Sequence, residues 1–328
     1  MLAVSVPSQE IADALGDLGV LGNLGALGNS GEGVRVVVWD PNEAGAPAAH
    51  ADEIALACLS HYTGGGLVYS RLGALPNLRV IQIPSAGYDH AVPFVPEGVA
   101  LANARGVHDT RTAEFAIALA LASQRLLYRF HDSQGRREWA PQYFNPSLAD
   151  RRALVVGYGS IGSAIGSRLR AMEVEVRGVG RSARTAPDGT AVHAVSDLPD
   201  LLPEAEIVFL VTPYDATTAG LADAAFFAAM PDGALFVNVG RGACADTDAL
   251  VAECASGRLR AALDVIDPEP LPADHPAWTT PGMTIAPHVG GAAPLTDRRY
   301  LALVRAQLAA LAEGREPVNL VARGPREV

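Results

Sequence analysis

The chain has 328 residues, enough for about two domains with ample core. Its formal charge of −11 gives nucleic-acid binding no compositional support, and 49% hydrophobic with 19% charged residues indicates an ordered globular protein. All 25 basic residues are arginine, which excludes chemistry that needs a lysine: no Schiff base, no P-loop lysine, no dehydrogenase with lysine as its acid–base group.

No apolar run approaches the roughly 18 residues of a membrane span, so no membrane partner is expected. The first residues, MLAVSVPSQE, lack the basic start of a signal peptide. Cys58, Cys244 and Cys254 are odd in number and form no C-x-x-C, as expected of reduced thiols in a cytoplasmic protein, and no metal site is expected.

In chain order, residues 2–6 read as a strand, and Ser8 is a candidate N-cap for a short helix. Leu and Gly then alternate through residues 15–33, which reads as a weak helix end and a mobile surface connection, since interior Gly costs roughly 1 kcal/mol against Ala. Residues 34–39, 54–59, 78–83 and 99–101 read as further strands with helical or turn segments between them. This first part is a compact α/β unit with a parallel sheet and no phosphate-type glycine fingerprint, so holding the substrate is its expected task. Ser85, Ala86 and Gly87 directly follow a strand, where small residues leave backbone N–H groups free for an anion. His61, Tyr62 and Thr63 also follow a strand and are weaker candidates for the same site. Residues 112–129 read as one buried helix, expected between the domains. Residues 132–151 are polar and turn-rich, with Trp139, Tyr143 and Phe144 as anchors or lid residues.

The strongest stretch is 153–181. A short apolar strand leads into Gly157, Tyr158, Gly159, Ser160, Ile161 and Gly162, in G-x-G-x-x-G spacing. Ile161, Ile165 and Leu169 then recur at helical spacing, and a second strand follows at 174–179. This is a βαβ unit for dinucleotide binding: the first glycine permits the tight turn, the second admits a pyrophosphate, the third lets helix and strand pack. NAD-binding units usually end their second strand on a carboxylate for the ribose 2′-OH. Here the strand runs into Arg181, Ser182 and Arg184, and Glu175 comes too early. Guanidinium groups fit a 2′-phosphate, so NADP(H) is expected over NAD(H).

Later strands each end on a polar group at one sheet edge. Residues 207–211 lead to Thr212 and Pro213, 235–239 to Arg241, 261–265 contain Asp264, and the strand at Ile285 leads to His288 and Gly290. A fixed Arg241 between glycines grips a carboxylate and polarises an adjacent carbonyl. His288 suits proton transfer near neutral pH, and Glu269, on a proline-bracketed loop, would fix its tautomer. Residues 295–313 read as a final amphipathic helix that joins the first domain.

The motifs VVGYGSIG, NVGRGACADTDALV, AALDVIDPEPLPADHPAW and APHVGG, with SAGYDH and TAEFAIALALA before them, resemble the D-isomer-specific 2-hydroxyacid dehydrogenase family over roughly residues 75–320. The resemblance implies two Rossmann-like or flavodoxin-like α/β domains with parallel sheets and an active-site cleft between them. Residues 1–111 and 291–328 would form the substrate-binding domain, and 112–290 the dinucleotide-binding domain. It implies Arg241 as the carboxylate ligand, His288 as acid–base catalyst with Glu269 as its partner, and backbone amides of Ala86 and Gly87 as further carboxylate donors. It places Asp264 and Thr112 near the nicotinamide end and implies a homodimer. The arginine-based NADP site is similar to that of glyoxylate/hydroxypyruvate reductases. A phosphite-oxidising relative class shares Trp139 and Pro141 but carries a lysine where this chain has Ala86. A non-catalytic NADP(H)-sensing, corepressor-like protein on the same fold is the alternative reading.

Overall fold

A computed structural model describes residues 2–17, 34–43, 50–61, 65–141 and 145–325. The strands, in chain order, begin with β1 (Leu2–Val6), β2 (Val34–Val38), β3 (Ile54–Cys58), β4 (Val80–Gln82) and β5 (Ala100–Ala102). They continue with β6 (Arg152–Val156), β7 (Glu175–Gly180), β8 (Arg184–Thr185), β9 (Ala191–Ala194) and β10 (Ile207–Leu210). The last are β11 (Leu235–Asn238), β12 (Arg260–Leu263), β13 (Met283–Ile285) and β14 (Leu320–Arg323). The chain divides into two compact units, Met1–His108 with Ala293–Val328, and Asp109–Ala292.

The first unit holds a sheet in the order β14-β5-β4-β3-β1-β2, parallel except for β14, which runs antiparallel to β5. Its inner strands are continuous apolar runs because both faces are covered; every residue of β3 is buried. One face packs around Leu56, Val80 and Val304, the other around Ile54, Leu72 and Ile81. The final helix, Arg298–Ala312, supplies Tyr300, Leu301, Val304 and Leu308 to that core. It begins one turn later than its sequence pattern suggests, because Asp297 caps it by accepting from the Arg299 amide. A buried pair of glutamines ties it down: Gln307 Nε2 donates to Gln82 Oε1 at 2.8 Å and to the Val318 carbonyl at 2.7 Å. At the start of the chain, Ser8 Oγ accepts from the Ile11 amide at 3.4 Å and opens the helix Gln9–Asp17. Most of the expected Leu/Gly connection lies outside the described residues.

The second unit holds a sheet in the order β13-β12-β11-β10-β6-β7-β9-β8, parallel except for the β8–β9 hairpin. Strand order reverses at β6, which pairs with β7 on one side and β10 on the other. That is the switch point at which open α/β sheets bind ligands. The helix expected over 112–129 starts at Asp109 and stops at Gln124. Leu126 takes a left-handed φ of 55°, and a separate helix, Leu127–Gly135, follows. Ala113, Ala116, Ile117 and Ala120 of the first of these pack on Val155, Phe209 and Val237, within this unit's own core.

Candidate active site

The register of the second sheet brings six strand ends level. Val179, Val156, Leu210, Asn238, Leu263 and Ile285 are successive partners from β7 to β13. At roughly 4.8 Å per strand, that row spans about 24 Å. Whatever follows each strand therefore lies along one edge: Arg181, the glycine loop, Thr212, Arg241, Asp264 and His288, in that spatial order.

The glycine loop is built for close approach. Gly157 has φ of +104°, and a Cβ there would stand 2.6 Å from the Val211 carbonyl oxygen. A Cβ on Gly162 would overlap the Gly157 carbonyl, so helix and strand meet without side chains. Above Gly159 there is nothing within 4 Å. The Ser163 amide makes the first bond of the helix Ser160–Ala171, to the Gly159 carbonyl at 2.9 Å. The preceding amides of Ser160, Ile161 and Gly162 have no intrahelical acceptor, the arrangement at a helix N-terminus that favours an anion.

The side chains of this loop point elsewhere. Ser160 Oγ donates to Asp109 Oδ2 and ties the loop to the start of the Asp109–Gln124 helix. Ile161 packs against the apolar cluster around Val155 and Ile165. Tyr158, in the loop expected to hold the cofactor, has its side chain buried, 2% exposed. Its amide donates to the Val179 carbonyl at 2.8 Å, and its own carbonyl accepts from Arg184 Nη2 at 2.6 Å. Arg181, Ser182 and Arg184 are exposed beyond β7 with no carboxylate among them. Asp215 stands near Arg181; its carboxyl is held below the usual range by the Thr217 hydroxyl and amide, with a smaller contribution from that guanidinium. Thr212 is buried, and the Pro213 carbonyl accepts from Thr218 Oγ1 at 2.7 Å.

Arg241 is set by a residue that the sequence reading passed over. Asn238, 1% exposed, donates from Nδ2 to the Arg241 carbonyl at 3.1 Å and accepts at Oδ1 from the Gly240 amide at 3.0 Å. The available signal was an amide closing an otherwise apolar strand, LFVN. The Arg241 guanidinium donates from Nη1 to the Gly240 carbonyl at 2.9 Å.

Asp264 is buried and holds the loop that carries His288. Its Oδ1 accepts from the Val289 amide at 2.8 Å, its Oδ2 from Gly290 at 2.9 Å, and its carbonyl from the His288 amide at 2.8 Å. Burial pushes its carboxyl above the usual range, against the pull of those two amides. Position 290 must be glycine, because a Cβ would stand 2.7 Å from Asp264 Oδ2 and 3.1 Å from the Phe115 ring. Thr112 is buried in the Asp109–Gln124 helix.

His288 Nδ1 lies 2.7 Å from Glu269 Oε1, with both side chains a little under half exposed. The carboxylate assigns the hydrogen to Nδ1, leaving Nε2 with no partner among the described residues.

In the first unit, the turn after β4 has every carbonyl occupied. Pro84 accepts from His108 Nε2 at 2.6 Å, Ser85 from the Ala104 amide at 2.9 Å, Ala86 from Asn103 Nδ2 at 2.6 Å and Gly87 from Ser85 Oγ at 2.6 Å. The amides of Ser85, Ala86 and Gly87 find no acceptor among the described residues, which makes the turn a nest of donors. His61 Nε2 donates to the Ala293 carbonyl at 2.8 Å, and burial pushes its imidazole below its ordinary value. Tyr62, Thr63, Tyr143 and Phe144 lie outside the described residues, and Trp139 is exposed.

Among the described residues, no three His, Cys, Asp or Glu side chains cluster to hold a metal ion, and no helix is long and apolar enough to cross a membrane. The three cysteines are buried and unpaired.

Comparison with known proteins meets this geometry. The model for the D-isomer specific 2-hydroxyacid dehydrogenase, NAD binding domain, matches residues 117–290. Glyoxylate reductase of Thermofilum pendens is 31% identical over 261 residues, 76% of each chain. Glyoxylate reductase/hydroxypyruvate reductase of Homo sapiens is 30% identical over 272 residues, 80% of this chain and 81% of that one. The structure of a D-isomer specific 2-hydroxyacid dehydrogenase from Xanthobacter autotrophicus Py2, in complex with NADPH and MES, superimposes with a TM-score of 0.77 at 26% identity over 98% of both chains. The chain belongs to the D-isomer specific 2-hydroxyacid dehydrogenase family: it is an α/β oxidoreductase of the CH–OH group with a Rossmann-type domain for a nicotinamide cofactor.

Proposed function

We propose that this protein reduces a short 2-oxo acid, of the glyoxylate or hydroxypyruvate type, to the D-2-hydroxy acid with NADPH. The observation that carries the reading is the 2.7 Å His288–Glu269 pair on the same sheet edge as the glycine loop. The cofactor fits that edge on the features of this chain. The space above Gly159 is open, three amides face an anion, and Arg181 with Ser182 and Arg184 replaces the usual ribose carboxylate. From β6 to β12 is three strand steps, roughly 14 Å, the reach of an extended dinucleotide from its diphosphate to its nicotinamide end. Thr112, Thr212, Pro213, Asp264 and Gly290 would line that path. The related Xanthobacter structure was solved with NADPH.

The cofactor supplies the hydride. The chain supplies orientation and the proton. Arg241 grips the substrate carboxylate and opposes the charge that grows on the carbonyl oxygen. Protonated His288 donates from Nε2 to that oxygen and keeps its Nδ1 hydrogen on Glu269, which stabilises the charged ring beforehand. The amides of Ala86 and Gly87 are donors of the kind that hold a carboxylate.

The test is NADPH consumption with glyoxylate, hydroxypyruvate and pyruvate, run beside NADH. Absence of turnover across a broad 2-oxo acid panel would overturn the enzyme reading in favour of a sensing role. Two expected outcomes sharpen it. Reduction needs His288 protonated and oxidation needs it neutral, so the optimum for oxidation should lie at higher pH than that for reduction; coincident optima would remove His288 as the proton donor. Arg181→Ala should raise KM for NADPH by about tenfold, the scale of one charge-assisted contact, and leave KM for NADH nearly unchanged. A lower KM for NADH than for NADPH in the unaltered protein would sink the cofactor reading.

A further inference from the structure

Tyr158 is the one residue of the glycine loop held at both ends by the same hairpin. Its ring runs from the loop between the Ser160–Ala171 helix and β7, in space that two glycines leave. A Cβ on Gly178 would stand 2.6 Å from Tyr158 Cγ, and one on Gly166 would overlap the hydroxyl end. At its far end, the hydroxyl donates to Asp188 Oδ2 at 2.9 Å and lies 3.0 Å from Thr190 Oγ1. Arg170 closes the cluster, with Nη1 3.1 Å from the Tyr158 hydroxyl and 2.6 Å from Thr190 Oγ1, and Nη2 2.6 Å from Asp188 Oδ2. Burial opposes charge on Asp188, but the Thr190 amide and hydroxyl, the Tyr158 hydroxyl and Arg170 together hold its carboxyl far below the usual range.

Asp188 and Thr190 form the turn of the β8–β9 hairpin. The Thr190 amide donates back to Asp188 Oδ1 at 3.1 Å, and the Ala186 amide to the Thr190 carbonyl at 2.9 Å. The first residue of that hairpin is Arg184, whose Nη2 donates 2.6 Å to the Tyr158 carbonyl. Arg184 Nη1 lies 2.6 Å from where a Cβ on Gly180 would sit, so the guanidinium is seated against the end of β7. One tyrosine thus spans from the hairpin's turn to its leading arginine. The hairpin itself is slight: β8 has two residues and pairs only with β9. Its inner strand β9 is paired on β7 through Val192 and Ala194, and Ala186 is buried, so the turn at Asp188–Thr190 is the part that the Tyr158 hydroxyl holds.

We propose that Tyr158 is a positioning residue for cofactor selection, which fixes the 184–190 hairpin through its hydroxyl and thereby holds the Arg184 guanidinium over the glycine loop for the 2′-phosphate of NADP(H). The proposal rests on the NADP(H) reading above and adds a residue whose side chain runs from the loop to the hairpin turn. Arg170, Asp188 and Thr190 belong to the same strut.

Tyr158→Phe keeps the ring between Gly166 and Gly178 and removes only the hydroxyl. It should lower the ratio of kcat/KM with NADPH to kcat/KM with NADH by about fivefold to tenfold, the scale of a lost hydrogen bond to a charged cluster. Thr190→Val, which cuts the same strut from the hairpin side, should lower it in the same direction. Amide exchange across residues 184–190 of the cofactor-free protein should quicken in both variants. A ratio left unchanged, or both cofactors weakened equally, would overturn the proposal while the NADPH preference of the unaltered protein still stood. If the unaltered protein prefers NADH, the cofactor reading falls by itself, and unchanged exchange across 184–190 then decides against the strut as well.

Discussion

Replacing His288 with alanine should lower kcat for 2-oxo acid reduction by about 10²- to 10⁴-fold, the usual contribution of a positioned acid–base group. The effect should fall on kcat with either cofactor, because in the proposed reaction the imidazole acts on the substrate oxygen and not on cofactor affinity. Loss of the fold would not explain such a result. The loop keeps its shape through Asp264, which binds the backbone amides of His288, Val289 and Gly290 and makes no bond to the imidazole. Steady-state kinetics with a melting curve on the same sample would check it. Activity within tenfold of the unaltered protein, with an intact fold, would mean that another group supplies the proton.

Arg241→Ala should raise KM for the 2-oxo acid, lower kcat, and together reduce kcat/KM by about 10³-fold, or about 4 kcal/mol, as expected when one partner of a desolvated charge pair is cut away. The split matters. A guanidinium that only bound the carboxylate would change KM alone, whereas one that also opposes charge on the carbonyl oxygen must lower kcat. Arg241→Lys should recover only part of the loss, because an ammonium cannot reproduce the planar fork. The turn itself should survive both changes, since Asn238 holds it through the Arg241 carbonyl and the Gly240 amide. An unchanged kcat/KM in the alanine variant would take Arg241 out of the site.

Much of the second unit was legible because its strands are buried on both faces. Such strands are short apolar runs bounded by Gly, Pro or a lone polar residue, and β6, β10, β11 and β12 each read so to within two residues of their observed ends. The break at Leu126 was not legible, since a leucine in the left-handed region follows no local sequence rule. The β8–β9 hairpin and β14 were missed for another reason. Each is two to four residues long and earns its place from partners rather than from its own pattern. Where the Tyr158 side chain goes is not legible in G-Y-G-S-I-G. Its inward turn depends on Gly166 and Gly178, eight and twenty positions on, whose emptiness has meaning only once the helix is laid on the sheet. Asn103, His108 and Asn238 act on backbone carbonyls and amides, so nothing in their local sequence announces them.

The way the first unit is closed has a consequence for how the protein is made. The second unit is one unbroken stretch, Asp109–Ala292, and can complete its core as it leaves the ribosome. The first unit cannot. Val4, Leu56 and Val80 await Tyr300, Leu301, Val304 and Leu308, and the buried Gln82 awaits Gln307, 225 positions downstream. Until the last helix and β14 emerge, one apolar face of an almost finished sheet stays wet. Its edge at β5 stays open over the same interval, a template for pairing with another nascent chain. Vectorial synthesis therefore runs against residue order here: the unit that holds β1 is completed after the unit that follows it, and its exposed stretch is covered only once residues 298–323 have emerged.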